Sequence, residues 1–531
     1  MKGSLAGAAG AALALISAAG AARASSGIDS PDAGVVQIGR GGAWVARADD
    51  PLAAYMNPAA LATQASGVHL GVHFMLQDQC YTRKGPGGSL VPPSATASDL
   101  IPAPGAPGGP DAEVCAEGGV FPNPQLAGVI RVHDRLAIGL AVLGPHGVGS
   151  QEWPESIPYT SEFGNETTQP APQRYLLTSL DAVIIQPTLS VGFALTPEIS
   201  VGAGFVWGVA FIDVVNFAEG TSAEGGDDFN AHQDLRSRVQ GQDLFVPGFV
   251  LGGLWSPSSR LDVGAWFKWQ DAMRAGTDLT IESRYWTMAG LKNENPCAGE
   301  APDCNVTDEK DAGTLKLQIP MEAKLGVRYH HPRVGTARPS WATEGAAEGG
   351  AGTAGRRVRD PMSEDLFDVE LDFTWANNSA VDVLEVRFKE GLPVRGTDVG
   401  FVPRNADVPH EWKDVLGVRL GGDVVPLPGL LALRAGGFFE TKGQEDEYLN
   451  LDFNAGWRVG VGGGATVRVG PVDVSAAYQH TFYGAIDNGG DGVIQAVSGD
   501  LGTGSRSVQA VNGGRLETSL NEFAVSGTVR F

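Results

Sequence analysis

Apolar and polar side chains alternate with a period of two along much of the chain from residue 67 onward. In the longest example, residues 451–469, Trp457 belongs to the apolar face and Arg458 to the opposite, polar face. A second example, residues 368–375, alternates large apolar side chains with acidic ones. Strands of soluble sheets are usually about 3–10 residues long. Longer alternating runs are typical of tilted strands that cross a bilayer with one face in lipid. The pattern therefore predicts membrane-spanning strands, and 451–469 is predicted to be one of them.

The connections between the predicted strands are alternately short and long, as in outer-membrane barrels. The short breaks lie at residues 133–135, 196–198, 256–260, 426–429 and 470–471. Counting strands between the breaks predicts an all-β fold: a 14-stranded antiparallel transmembrane β-barrel formed by residues 67–531. A Gly/Ala/Arg-rich stretch, residues 331–361, stands where a short turn belongs. We predict that this stretch is a disordered insertion on the periplasmic side.

The segment that precedes the first strand has the features of several very short helices. In three dipeptides a side chain that can cap a helix precedes a proline, which suits the first helical position: Ser30-Pro31, Asp50-Pro51 and Asn57-Pro58. Gly39 is a plausible end for the first helix. Helices this short are not stable alone in water. We therefore predict that residues 25–66 form a helical hatch that plugs the lumen of the barrel.

Two predicted strands lack the polar inner face of a water-filled pore. Residues 201–211 and 245–255 carry large apolar side chains on the predicted lipid face and small or apolar ones on the other. The inward candidates are Val206, Val246, Val250 and Leu254. Such side chains favour either an apolar ligand in the lumen or close packing against the hatch, and the sequence leaves both interpretations open.

The spacing of several N-terminal residues resembles the hatch of a known family. The pattern consists of Gly39, Gly41 and Gly42, then Asp49 and Asp50, then Asn57, Pro58 and Ala59. It is similar to that of the FadL/TodX-type family of outer-membrane transporters for fatty acids and hydrocarbons. Residues 122–147, 186–204 and 412–436 resemble later strands of that family, in the same order. The resemblance implies a plugged barrel that moves hydrophobic compounds inward by diffusion. It implies long-chain fatty acids as the substrate, with aromatic or aliphatic hydrocarbons as the alternative.

A possible break in the wall follows the predicted third strand. It consists of Gly144, Pro145, His146 and Gly147. Proline cannot donate to a strand ladder, and the flanking glycines permit a bulge or a kink. The resembled family has an inward kink in this strand that opens a lateral gap beside the hatch, so Asn57-Pro58-Ala59 is expected to lie near it. Alternatively, these residues simply end the third strand before an outer loop.

Two further features concern export. Residues 1–24 have a positive Lys2, an alanine-rich apolar stretch and a cleavage site at Ala22-Arg23-Ala24, which predicts a signal peptide; a retained membrane anchor is the alternative. An exported chain meets an oxidising compartment, so the cysteines are predicted to form two disulfides, with four unpaired thiols as the alternative. The predicted pairs are Cys80 with Cys115 and Cys297 with Cys304.

Other functions find little support in the sequence. The net charge of −23 argues against a nucleic-acid partner. No Gly-x-Ser-x-Gly motif occurs, His410-Glu411 lacks the second histidine of a zinc-protease helix, and His330-His331 is predicted to be solvated. We therefore predict neither an enzyme nor a bound cofactor or metal. A lipase-type barrel and a structural or adhesive barrel remain rival interpretations.

The localisation predicted from these features is the outer membrane. The final strand ends in Phe531, which resembles the signal recognised by the outer-membrane assembly machinery. The expected partners are a hydrophobic small molecule, membrane lipid and that machinery, and the expected state is a monomer.

Overall fold

The computed structural model describes residues 34–84, 113–144, 149–160, 166–218, 234–283, 285–287, 291–293, 305–333, 358–392, 402–495 and 510–531. Several predicted features lie outside the described residues: the signal peptide, residues 25–33 of the hatch with Ser30-Pro31, Pro145 to Gly147, the pair Cys297 and Cys304, and most of the 331–361 insertion. Among the described residues, no helix has the length and apolarity needed to cross a membrane.

Fourteen strands form the wall, and several of them consist of two segments. They are β1 (Gly67–Arg83), β2 (Glu113–Cys115 and Phe121–His133), β3 (Leu136–Val142 and Gly149–Glu152), β4 (Ser179–Ile185 and Thr188–Ala194), β5 (Ile199–Ala218), β6 (Leu235–Ser258), β7 (Leu261–Gln270 and Met273–Glu282), β8 (Asn305–Leu317 and Glu322–Pro332), β9 (Asp365–Ala376 and Val383–Phe388), β10 (Val408–Pro409 and Val415–Leu427), β11 (Leu431–Glu440), β12 (Arg458–Val469), β13 (Val472–Tyr483 and Ile486–Asp487) and β14 (Gly514–Arg530). A hairpin of Ser156–Thr160 with Glu166–Pro170 forms a separate two-stranded sheet.

The sheet closes on itself through its first and last strands. β1 pairs antiparallel with β14 along its whole length, from Gly67 opposite Arg530 to Arg83 opposite Gly514. On its other side β1 pairs with β2. Closure leaves no long sheet edge in the bilayer, where unpaired backbone groups could not be satisfied. The predicted 14-stranded antiparallel barrel is therefore confirmed.

The two faces of the wall follow the alternation in the sequence. Trp207 and Leu420 are about half exposed on the outside, at 50% and 54%. Arg458, in contrast, is buried, and its guanidinium binds Glu440 inside the barrel. Since side chains alternate across a strand, the predicted assignment of outward and inward faces is correct for β5 and β12.

The predicted nineteen-residue strand at 451–469 is wrong in its first part. β12 begins only at Arg458, and Leu451, Phe453 and Ala455 are buried in an apolar cluster rather than in contact with lipid. Side-chain oxygens of Asn450, Asp452 and Asn454 accept bonds from backbone N–H groups one or two residues further on. Such local bonds compete with a strand ladder. The alternation of apolar and polar side chains therefore continues through residues 451–457 although the backbone there does not form a strand.

This correction changes what substitutions on the lipid face are expected to do. Trp457 precedes β12 at the end that carries the long connections, whereas Val461 lies further along the strand and is also exposed. A charge costs ~2–4 kcal/mol near the bilayer midplane but only ~0–1 kcal/mol near the interface. Val461→Arg should therefore impair barrel assembly much more than Trp457→Arg, as measured by heat-modifiable migration on gels. Equal effects would contradict this placement. Arg458→Ala should leave assembly largely intact, because Glu440 keeps Arg419 as a partner.

Residues 34–66, called the N-terminal segment from here on, pack against the inner face of the wall. The segment contains α1 (Val35–Ile38), α2 (Ala53–Met56) and a 3-10 helix (Pro58–Thr63), and nearly all of its side chains are buried. Gly39 ends α1, as predicted, although its backbone stays right-handed. β1 begins at Gly67, directly after this segment.

The described ends of the 331–361 stretch do not fit the prediction of disorder. Pro332 still belongs to β8, and α3 (Pro361–Glu364) follows the undescribed part. Arg359 binds Asp262 at 2.9 Å and donates its backbone N–H to Thr63. The prediction that His330 is solvated is also wrong, because its ring is buried beside Asp262 and Asp365. Carboxylates on the inner face of the wall bind Arg359 and His330. The polar composition of the stretch gives no indication of these partners, because they are distant in sequence.

Candidate functional site

Glycines on the inner wall allow the N-terminal segment to approach closely. A Cβ atom at Gly202 or Gly252 would overlap the backbone or side chain of Asn57 to Ala59. On the other side of the lumen, a Cβ at Gly421 or Gly436 would overlap the carbonyl of Arg40. The glycines that made the predicted inner faces look small are therefore contact sites for the segment.

Asn57 ties the segment to itself and to the wall. Its Oδ1 accepts a bond from the Ala59 N–H at 3.2 Å and caps the 3-10 helix, as the sequence predicted for this residue. Its Nδ2 donates to Val45 O at 2.8 Å and to Gly253 O at 3.2 Å. A fully buried amide with all of these bonds explains why asparagine suits this position of the motif.

A buried arginine holds the other end of the segment. Arg40 Nη1 donates to Asp368 and to Asp423, each at 2.7 Å, and Nη2 donates to Glu370 at 3.3 Å. Its Nε donates to Ala43 O at 2.8 Å. The carboxylates belong to β9 and β10, so one side chain of the segment bridges two wall strands.

The acidic face of β9 also binds backbone groups of the segment. Asp372 accepts bonds from the N–H groups of Trp44 and Val45 at 2.9 and 3.1 Å, and Glu370 accepts one from Ala46 at 2.6 Å. Charge-assisted bonds of this kind are stronger than neutral ones. The alternating acidic residues noted in the sequence therefore form a docking surface for residues 40–46.

Asp49 and Asp50, both predicted hatch-motif residues, have different surroundings. Asp49 pairs with Arg47 at 3.1 Å. Asp50 Oδ1 accepts a bond from the Leu52 N–H at 2.8 Å, but α2 begins only at Ala53 with Leu52 at its N-cap, so the prediction that Asp50 caps this helix is wrong. Burial raises the pKa of the Asp50 carboxyl to about 7, and the nearby Asp49 carboxylate adds to the shift. Asp50 is therefore partly protonated at neutral pH.

The four lumen candidates are all buried, but they divide into two groups. Val206, Val250 and Leu254 pack in one apolar cluster with residues of the N-terminal segment. Val246 belongs to a second, larger cluster near the end of the barrel that carries the long connections. The packing interpretation thus applies to three of the four positions, and Val246 shares its cluster with several residues that line a cavity.

That cavity has a volume of about 100 Å³ and a mostly apolar lining. It is formed by β5 to β10, by side chains that include Val214, Leu235, Leu279, Leu315, Val386 and Phe388. Polar groups enter the lining through Asn216 and Ser237. An apolar cavity with a few polar groups is the usual form of a site for a hydrophobic ligand.

The ladder between β2 and β3 is interrupted. Its pairing ends at Leu126 opposite Val142, and β3 resumes at Gly149, where it pairs with β4. In the described part of the chain, Phe121–Gln125 has no ladder partner on the β3 side, although its other side pairs with β1. The kink and the simple strand end, predicted as alternatives for residues 144–147, both stay predictions, since Pro145 to Gly147 lie outside the described residues.

Gly144 lies at this interruption. Asn123 Nδ2 donates to Gly144 O at 2.6 Å. The remaining residues of the predicted kink, Pro145 to Gly147, lie outside the described residues. Asn57 to Ala59 contacts β4 to β6 rather than the interruption itself, whereas Ala54 and Leu61 reach β3 at Gly139. The expected proximity of Asn57-Pro58-Ala59 to the break stays a prediction; among these contacts, Ala54 and Leu61 are the residues of the segment that lie against β3.

A disulfide joins Cys80 to Cys115, as predicted. It links the outer part of β1 to the first segment of β2, whose residues pair directly with each other. The bond therefore supports the strands that border the interruption.

Sequence reasoning missed the role of Arg40. The signal that could have indicated it is the acidic face of β9, since Asp368, Glu370 and Asp372 cannot all stay charged inside a barrel without cationic partners. The separation of 328 residues between Arg40 and Asp368 hid the pairing.

The sequence and the fold were compared with known proteins. A family model described as outer membrane protein transport protein (OMPP1/FadL/TodX) matches residues 2–333. A comparison with curated proteins found no match. A Pseudomonas aeruginosa FadL homologue has a similar structure, with a TM-score of 0.62 at 18% identity over 95% of this chain and 100% of that chain. The P. putida toluene transporter TodX also has a similar structure, with a TM-score of 0.57 at 13% identity over 94% of this chain and 98% of that chain. These structures support the fold.

Proposed function

Since the chain belongs to the OMPP1/FadL/TodX family of outer membrane transport proteins, we propose that it takes up hydrophobic compounds by passive diffusion through the barrel. The apolar cavity of about 100 Å³ between β5 and β10 is the observation that supports this most directly. In this proposal the cavity receives the ligand from the outer side, and residues 25–66 act as a hatch that prevents free flow of solutes.

The size of the cavity bears on the substrate. An engineered apolar cavity of about 150 Å³ binds benzene, so a cavity of about 100 Å³ is on the scale of a small aromatic ring. Long-chain fatty acids are the substrate that the family resemblance implies, but an extended chain needs more room. We therefore propose a compact aromatic hydrocarbon as the second candidate, and the cavity favours it.

The exit in this proposal is the interrupted ladder between β2 and β3. An apolar molecule that leaves sideways enters lipid directly and avoids water on the periplasmic side. The end of the pairing at Leu126 and Val142 supports such a route, as does the lack of a ladder partner for Phe121–Gln125 on the β3 side among the described residues. Ligand would pass from the cavity along the N-terminal segment to Gly144.

Other parts of the proposal concern maturation and assembly. We also propose that the chain is cleaved after residue 24 and that Cys297 and Cys304 form a second disulfide. The barrel is inserted through recognition of Phe531 and is a monomer. The exposed ring of Phe531, at 76%, is available for such recognition.

Uptake by whole cells tests the function. Cells with the gene are expected to accumulate labelled toluene or labelled oleate faster than cells without it. The reason is that the barrel offers these compounds a path across the outer membrane that is otherwise lacking. Comparing the two compounds distinguishes the two candidate substrates. If neither compound enters faster, the transport proposal is wrong, and the rival adhesive or lipase-type barrels, which predict no difference, gain support.

A further inference from the structure

Six inward side chains on β13, β14, β1 and β2 form a patch that we call the polar seam. Its members are His69, His73, Gln125, Gln479, Thr481 and Glu522, each at most 1% exposed. The seam is continuous across neighbouring strands, because Gly71 pairs with Gln125 and Glu522 pairs with Gln479. It therefore lies on the part of the wall that includes Phe121–Gln125, the portion of β2 for which the described residues provide no ladder partner on the β3 side.

Within the described residues, seven side-chain atoms of the seam have no hydrogen-bond partner. They are His69 Nε2, His73 Nε2, both amide atoms of Gln125, Gln479 Oε1, Thr481 Oγ1 and Glu522 Oε1. Leaving a buried polar group unsatisfied costs about 1–3 kcal/mol. A patch with several such groups is therefore better explained as a place that receives polar partners than as part of the packing.

The seam has only a few internal bonds. His69 Nδ1 lies 2.8 Å from Thr528 Oγ1, and Gln479 Nε2 donates to Glu522 Oε2 at 3.2 Å. His73 Nδ1 lies 3.7 Å from Glu522 Oε1. His69 Nε2 and Gln125 Oε1 both lie over Gly71, where a Cβ would be 3.1 and 3.4 Å from them. Since Gly71 has no side chain, neither group is covered by one at this position.

A small cavity lies beside the interrupted ladder, and it is lined by the cross-strand neighbour of Glu522 rather than by the seam residues themselves. Its volume is about 30 Å³, and Met75, Gln79, Phe121 and Gln151 line it. Met75 pairs with Phe121 on one side and with Glu522 on the other. Space of this size suits one polar group of the size of a water molecule or a hydroxyl, but not a whole ligand.

From these observations we propose that the seam binds the polar group of the ligand on its way to the lateral exit. The seam contains a carboxylate, Glu522, and no lysine or arginine, so a second carboxylate would be repelled. The ligand class that fits is a compact hydrophobic molecule with one neutral hydroxyl or carbonyl, such as a phenol, which is un-ionised at neutral pH because its pKa is about 10. This inference rests on the proposed transport function and adds to it a selectivity for ligands that carry one neutral polar group.

The test compares toluene with p-cresol, which differs from it by one hydroxyl. Gene-dependent uptake of both labelled compounds is measured in cells that carry the wild type or Gln125→Leu. The variant is expected to lower the ratio of p-cresol uptake to toluene uptake by about 3–10-fold, the effect of losing one or two hydrogen bonds. Gln270→Leu makes the same exchange at another fully buried position, on β7, and should leave the ratio unchanged.

Each outcome bears on a separate claim. An unchanged ratio in a correctly assembled Gln125→Leu protein overturns the seam while leaving transport intact. No gene-dependent uptake of either compound by the wild type overturns the transport function and the seam with it. If Gln125→Leu does not reach the outer membrane, the nearly isosteric Thr481→Val makes the same comparison, with the same expected direction.

Discussion

Replacing Arg40 by methionine is expected to release the N-terminal segment from the wall without dismantling the barrel. The change leaves Glu370 buried without its cation from the segment, while Asp368 and Asp423 keep only Arg47 as a cation from the segment. Removing one partner of a buried ion pair costs about 3–5 kcal/mol, and here the loss falls on the docking of the segment. The wall should persist, because its ladders do not involve Arg40.

The measurement is conductance in planar bilayers, together with protease access to residues 34–66. Arg40→Met should give larger, fluctuating currents and faster cleavage of the segment than the wild type. Arg274→Met provides a matched control, since Arg274 pairs with Asp271 on the exposed surface, where ion pairs contribute little. Wild-type conductance and protection in a folded Arg40→Met protein would show that the charge cluster does not retain the segment.

Substituting tryptophan for Gly144 is expected to abolish uptake of hydrophobic compounds. A Cβ at this position would lie 3.1 Å from Ile184 O and 3.3 Å from Asn123 Oδ1, so the indole ring must occupy the interruption between β2 and β3. If ligand leaves through that interruption, gene-dependent uptake should fall to the level of cells without the gene. The barrel should still assemble, because Gly144 is not part of a ladder.

Gly276→Trp is the control for this experiment. Gly276 lies on β7 with open space around its Cβ position, so the same exchange meets no neighbour. That variant should transport normally, and heat-modifiable migration checks assembly of both proteins. Uptake at the wild-type rate by an assembled Gly144→Trp protein would exclude a lateral route at this site and favour release through the N-terminal segment.

The sequence alone determined the architecture of the wall. A bilayer outside and a protein-filled lumen inside impose a period of two on every strand, so the strand count, the outward position of Trp207 and the inward position of Arg458 could be predicted. Helix capping is equally local, and it allowed Asn57 to be assigned correctly. The predicted strand at 451–469 failed in its first part because local side-chain bonds there replace the ladder while the alternation continues.

Only the tertiary structure decided what lies inside the barrel. Arg40 finds its carboxylates 328, 330 and 383 residues away, and no periodicity in the sequence encodes such a distance. The same applies to the seam, since Gln125 and Glu522 are brought together only when β1 pairs with both β2 and β14. Local patterns determine which face a side chain occupies; closure of the sheet determines which side chains it meets.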